Sequence, residues 1–155
     1  MTPLDYARGE LGVREDLSSN EDKAGRIAEY RTAVRDSRYT MIPGDAYCAA
    51  FVSWCLEQAG EPLTHRAGSG MSYVPWMKEF FVQDDSWIEE DPPEVGDIVI
   101  FALNGGRPNH VGFVEAVSPD SITTIEGNVG TYPNGGVKRM KRVWGEKILG
   151  FGAMS

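Results

Sequence analysis

The spacing of apolar positions changes once along the chain, and the change separates a helical first half from a stranded second half. Thr2 to Leu11 reads as a short helix: Thr2 and Asp5 are spaced as a capping box, Pro3 takes the first helical position, and Gly12 follows the end. In "LSSNEDKAGRIAEYRTAVRD", Ile27, Tyr30 and Val34 share one face of a second helix, with Asn20 as its cap. Tyr47 to Ala59 reads as a third, rich in good helix formers, with Asp45 as N-cap and Gly60 closing it before Pro62. "SYVPWMKEFF" gives a short fourth helix opened by Ser72. After "EEDPPEVGD" the period falls to two. Strands are expected at Ile98 to Leu103, His110 to Val117, Ser121 to Glu126, Gly136 to Val143 and Ile148 to Phe151, divided by Gly, Pro, Asn and Asp clusters that include the turn signal "YPNGG". Helices first and a meander of strands after them predict an α+β fold, with an antiparallel sheet of about five to six strands packed on the third helix.

Composition refines this mainly by exclusion. At 155 residues and 41% hydrophobic, the chain fits one domain with one core. Its expected parts are a helical lead-in over 1–44, the third helix within 45–60 and the sheet over 95–152. With 23 acidic against 15 basic residues the net charge is −8, so no broad basic field exists to gather nucleic acid or anionic lipid. The longest apolar runs, such as "VGDIVIFAL", are strand-sized, and no membrane insertion is expected. "MTPLDYARGELG" lacks a charged region followed by an apolar stretch, so synthesis in the cytoplasm without a signal peptide is expected.

Both cysteines lie in "GDAYCAAFVSWCL". Seven residues of helix rise about 10 Å at 1.5 Å each, whereas a disulfide needs α-carbons closer than about 7 Å. A Cys48–Cys55 bridge is therefore excluded and both thiols are expected to be free. Cys48 falls in the first turn, where unsatisfied N–H groups favour negative charge. Cys55 lies two turns further in and reads as a small core residue.

Only two histidines are present. His65, in the polar connection "PLTHRAGSG", reads as a surface residue. His110 opens a strand, on the same face as Gly112 and Val114, and Gly112 leaves space beside the imidazole for another backbone or a ligand. In "SITTIEGN", Glu126 and Asn128 are two apart, and a neighbouring antiparallel strand brings either one to His110. A cysteine at a helix start, a histidine at a strand start and a polar Glu/Asn on the next strand form, in that order, the set a thiol nucleophile requires. A zinc site from Cys48, Cys55, His65 and His110 is the competing reading, but its spacing matches no usual ligand pattern. A module that binds without cleaving is another.

"AYCAAFVSWCLEQAG", "PPEVGDIVIF", "NHVGFVEAV" and "ITTIEGN" resemble the motif blocks of the CHAP domain, the cysteine, histidine-dependent amidohydrolase/peptidase family related to NlpC/P60 peptidases. The resemblance implies a papain-like fold, Cys48 as nucleophile, His110 as general base, Glu126 as orienting acid and Asn128 as an auxiliary polar group. It also implies a peptidoglycan hydrolase that cuts an amide bond in the peptide part of the wall, of phage endolysin type and reaching the wall after holin-type release; the alternatives are an antibacterial effector delivered by injection and a cysteine amidohydrolase acting on a non-wall substrate. Many relatives carry Trp where this chain has Tyr47. Some bind calcium through an Asp-rich loop, and "REDLSSNED" lacks that spacing, so no metal and no other cofactor are expected. Tyr47, Trp76 and Tyr132 are candidates for the substrate groove, with Tyr73 beside them, and the expected state is a monomer.

Overall fold

The computed structural model describes residues 1–15, 25–131, 134–145 and 147–154. Asn20 and Tyr132, and with them the expected start of the second helix and part of the "YPNGG" turn, lie outside the described residues. Helix α1 (Pro3–Gly9) has the full capping box: Thr2 accepts from the Asp5 N–H and the Asp5 carboxylate accepts from the Thr2 N–H. Helix α2 (Arg26–Thr32) buries Ile27 and Tyr30 but stops short of the expected Asp36. The Asp36 carboxylate accepts from the Arg38 N–H at 3.0 Å and from its guanidinium, which turns the chain into a short strand, β1 (Arg35–Asp36), instead. This strand joins β2 (Thr64–His65) and β3 (Gly68–Ser69) in a small sheet ordered β1-β3-β2.

Helix α3 (Cys48–Gln58) is buried from Cys48 through Leu56, because α1 and α2 pack on one side of it and the main sheet on the other. Gly60, at φ 75, ends it as expected. Helix α4 (Val74–Gln83) starts two residues after Ser72; its cap position is Tyr73, and Pro75 sits in the first turn, where a missing N–H costs nothing.

The main sheet has six antiparallel strands, β4 (Trp87–Ile88), β5 (Ile98–Phe101), β6 (His110–Val117), β7 (Ser121–Val129), β8 (Gly136–Val143) and β9 (Ile148–Gly152). Their order is β4-β9-β5-β6-β7-β8. β5 to β8 form the expected meander. β9 departs from it, crossing back to pair with β5 and leaving β8 as an edge. Alternation sorts the side chains. Ile98, Ile100, Val111, Phe113 and Ile125 face α3 in the main core, while Val99, Phe101, Val114, Ile122 and Phe151 form a smaller cluster on the other face.

Candidate active site

Cys48 is the first residue of α3, and the loop before it is held from two sides. Arg31 on α2 donates to the Asp45 carbonyl oxygen at 2.9 Å, and the Tyr47 hydroxyl donates to Glu15 at 3.1 Å. The Asp45 carboxylate does not cap the helix. It stands three positions ahead of Cys48, too early for an N-cap, and accepts instead from the Ile42 N–H at 2.9 Å and the Tyr39 hydroxyl at 2.8 Å. The cap position is Tyr47, which makes no side-chain cap bond, so no capping side chain occupies the first N–H groups of the helix. Gly127 decides how close the helix lies to β7: a Cβ there would stand 2.8 Å from the Cβ of Phe51.

His110 is paired with Phe101 of β5, and the two rings lie 5.7 Å apart. Its Nε2 lies 2.7 Å from Glu126 Oε1. The space beside Gly112 is filled by this carboxylate's own stem, since a Cβ on Gly112 would meet Glu126 Cγ at 2.6 Å. Glu126 is wholly buried and accepts three hydrogen bonds from two partners besides His110: the Thr124 hydroxyl donates to Oε2, and Arg142 donates from Nε to Oε2 at 3.0 Å and from Nη2 to Oε1 at 2.5 Å. Nε2–H is given to Glu126, and the Cys48 side chain is the other group that favours the charged form of this imidazole.

The charges follow from these bonds. Burial works against an imidazolium at His110, but the hydrogen bonds to Cys48 and Glu126 outweigh it and raise the group to about 9. Burial would likewise push Glu126 up, yet the bonds from Arg142, His110 and Thr124 hold it at about 2. At neutral pH the site thus contains an imidazolium and a carboxylate, both almost sealed from water. Cys48 is 5% exposed and His110 6%. Cys55 is fully buried, with its thiol pushed well up by burial and then by Glu10, so of the two free cysteines only Cys48 meets the histidine.

The remaining sequence candidates fall in different places. Asn128 acts on the Tyr47 hydroxyl through its backbone, not through its amide side chain. Its φ of 60 and the register shift between Glu126 and Val129 break the period of two, so the expected common face for Glu126 and Asn128 is not simply maintained. Tyr47 has no exposed surface and is a core residue, not a groove wall: its ring packs by Tyr30, and its hydroxyl is spent on Glu15. Trp76 lines a cavity of about 410 Å³ with Tyr73, Tyr39, Met41 and Ala46, the last only two residues before Cys48. The Arg38 guanidinium lies 4.0 Å from the centre of the Trp76 ring. Tyr132 lies outside the described residues.

His65 is not a surface residue either. Its Nδ1 accepts from the Ala67 N–H at 3.2 Å and its Nε2 lies 2.8 Å from the Gly70 carbonyl oxygen, which ties the β2–β3 turn. Among the described residues no group of three or more His, Cys, Asp or Glu converges as a metal ion would need, so the four zinc candidates do not form a site.

The family model for the CHAP domain matches residues 37–128, a segment that holds Cys48, His110, Glu126 and Asn128. The chain belongs to the CHAP domain family. It is accordingly an enzyme of the cysteine, histidine-dependent amidohydrolase or peptidase class. A search of the curated proteins found no match. Two residues of this CHAP domain's site were not visible in the sequence. Thr124 looks like any β-branched strand residue, and Arg142 sits in "VKRMKRVW", which reads as a small cationic patch. Arg142 also lies beyond the matched segment. Only the β7–β8 register, in which Glu126 faces Lys138 and Ile122 faces Arg142, places it within reach of the carboxylate.

Proposed function

We propose that this CHAP domain hydrolyses an amide bond in the peptide part of bacterial peptidoglycan, with Cys48 as nucleophile, His110 as general base and then acid, Glu126 as the group that orients the imidazole, and Asn128 as an auxiliary polar residue. The supporting observation is one imidazole shared between a thiol at a helix start and a buried carboxylate 2.7 Å from Nε2. Cys48 and His110 form a thiolate and imidazolium pair, with the thiol's proton held on the imidazole, and the sulfur attacks the amide carbonyl carbon. The helix start and the imidazolium both stabilise negative charge on that sulfur. The oxyanion of the tetrahedral intermediate is held by the Cys48 backbone N–H. Collapse breaks the carbon–nitrogen bond, and the amine leaves with the proton from His110. Water then attacks the thioester, giving its proton to His110 and releasing the new carboxyl group as the thiol re-forms. The cavity lined by Trp76, Tyr73 and Ala46, the last of which stands two residues before Cys48 in the chain, offers room for the peptide.

Digestion of purified peptidoglycan by wild type and by Cys48→Ala, with products identified by mass spectrometry, tests the reading. Wild type is expected to release peptide fragments and the variant none, and product masses identify the bond. Intact peptidoglycan after treatment with a folded wild type would overturn it. A chelator is expected to leave the rate unchanged. An endolysin-like route, in which a separate membrane lesion admits the enzyme to the wall, is part of the same proposal. Co-expression with a pore-forming protein is expected to cause lysis that neither protein causes alone; lysis by the enzyme alone would count against that route.

A further inference from the structure

We infer that Arg142 on β8 is a positioning residue of this site: its guanidinium fixes the plane and the ionised state of the Glu126 carboxylate, and through it the direction of the His110 ring toward Cys48. The inference rests on the reading of Cys48 and His110 as the reacting pair. Glu126 has no exposed surface, so water cannot solvate its charge. Without Arg142 this buried carboxylate would keep only an imidazole and the Thr124 hydroxyl as partners, and it would gain by taking a proton. Once protonated it donates where it had accepted, and Nε2 loses the partner that keeps the ring turned to the thiol. Arg142 prevents this with two N–H bonds, one to each oxygen, at 3.0 and 2.5 Å. Oε1 is then shared between His110 Nε2 and Arg142 Nη2, while Oε2 takes Arg142 Nε and the Thr124 hydroxyl.

The guanidinium is itself held. It lies 5.0 Å from the centre of the Phe101 ring, the same ring that packs 5.7 Å from the imidazole, so Phe101 supports both ends of the chain of bonds. The Arg142 side chain is only 22% exposed, in contrast to Arg139 on the same strand at 52%. A lysine here would keep the charge but not the two parallel bonds.

The test uses the full chain with Arg142→Ala and Arg142→Lys, read by histidine NMR, iodoacetamide alkylation and wall digestion. With only His65 and His110 in the chain, two imidazoles suffice to assign. In wild type the His110 resonances are expected to show no step between about pH 3.5 and 6, because Glu126 stays ionised there. In Arg142→Ala a step appears in that range as Glu126 titrates. Alkylation of Cys48 near pH 6 and kcat both fall about tenfold, a shift worth one pKa unit; the acid limb of kcat moves to higher pH, and KM is unchanged. Arg142→Lys shows no step and an intermediate kcat. A folded Arg142→Ala with an unaltered His110 titration and alkylation rate overturns the inference. So does equal damage in both variants that follows only their melting temperatures, and Arg142→Lys decides the matter if Arg142→Ala does not fold. The NMR and alkylation readings need no substrate, so a failure of the peptidoglycan reading, seen as cleavage by Cys48→Ala or by none, is told apart from a failure of this one.

Discussion

Glu126 shows how a single side chain combines several constraints. It is fully buried, charged, and threaded across the one position of β6 that has no side chain. Gly112→Ala would put a methyl 2.6 Å from Glu126 Cγ, a distance real Cβ atoms do not tolerate, so the carboxylate must shift. The expected result is a folded protein destabilised by about 1–3 kcal/mol with most of its hydrolytic rate lost, measured by urea denaturation and wall digestion in parallel. Glu126→Gln keeps the shape but removes the charge that stabilises the imidazolium, and kcat is expected to fall roughly 10²-fold. Asn128→Ala should cost less than about fivefold, because general acid–base chemistry does not pass through its backbone contact. Equal losses in the two variants would remove the distinction between an orienting acid and an auxiliary residue. Cys48 and His110 were legible in the sequence because each has few competitors: two cysteines, two histidines and an element start for each. Arg142 was one of fifteen basic residues, and nothing in its local pattern separates it from the others.

Elements were legible where local signals are strong. The five longer strands stand almost where alternation and the Gly and Pro clusters put them, and the α1 capping box forms as spaced. Thr2→Ala should lower stability by about 1 kcal/mol, as loss of a capping hydroxyl does, measured by chemical denaturation. The two-residue strands β1 to β4 offer no period to read, and the position of β9 depends on pairing between segments some fifty residues apart, as in Ile98 with Gly152. The contact between α3 and β7 is another such long-range fact. Gly127 allows Phe51 to lie directly on the strand between the residues that carry the acid and the amide. Gly127→Ala is expected to lift the start of α3 from the sheet, lowering both stability and the rate of Cys48 alkylation. Unchanged alkylation in that variant would show that the helix start is positioned by the Arg31 and Tyr47 contacts alone.

For the molecule as a whole, the paired charges set its response to pH. Glu126 and Glu115, the latter held by Arg139 and Arg8, sit at about 2 against an ordinary 4.5. Both contribute stability that is present above pH 4.5 and lost as the pH falls toward 2. His110 sits at about 9 against an ordinary 6.5, and its contribution is complete below 6.5 and lost as the pH rises through 9. The thermal midpoint is therefore expected to be highest between about pH 4.5 and 6.5 and to decline on both sides. A melting curve series that is flat from pH 6.5 to 9 would contradict the imidazolium at this site. Strand order adds a constraint in time. β5, which backs the histidine strand, is flanked by β6 on one side and by β9 on the other, and β9 follows the other strands of this sheet in the chain. While the ribosome still holds residues 148–152, one side of β5 has no partner and Phe151 is missing from the apolar cluster that includes Phe101. Assembly of the proposed catalytic groups is thereby coupled to synthesis of β9, and a nascent chain halted before that strand is expected to be a poor hydrolase.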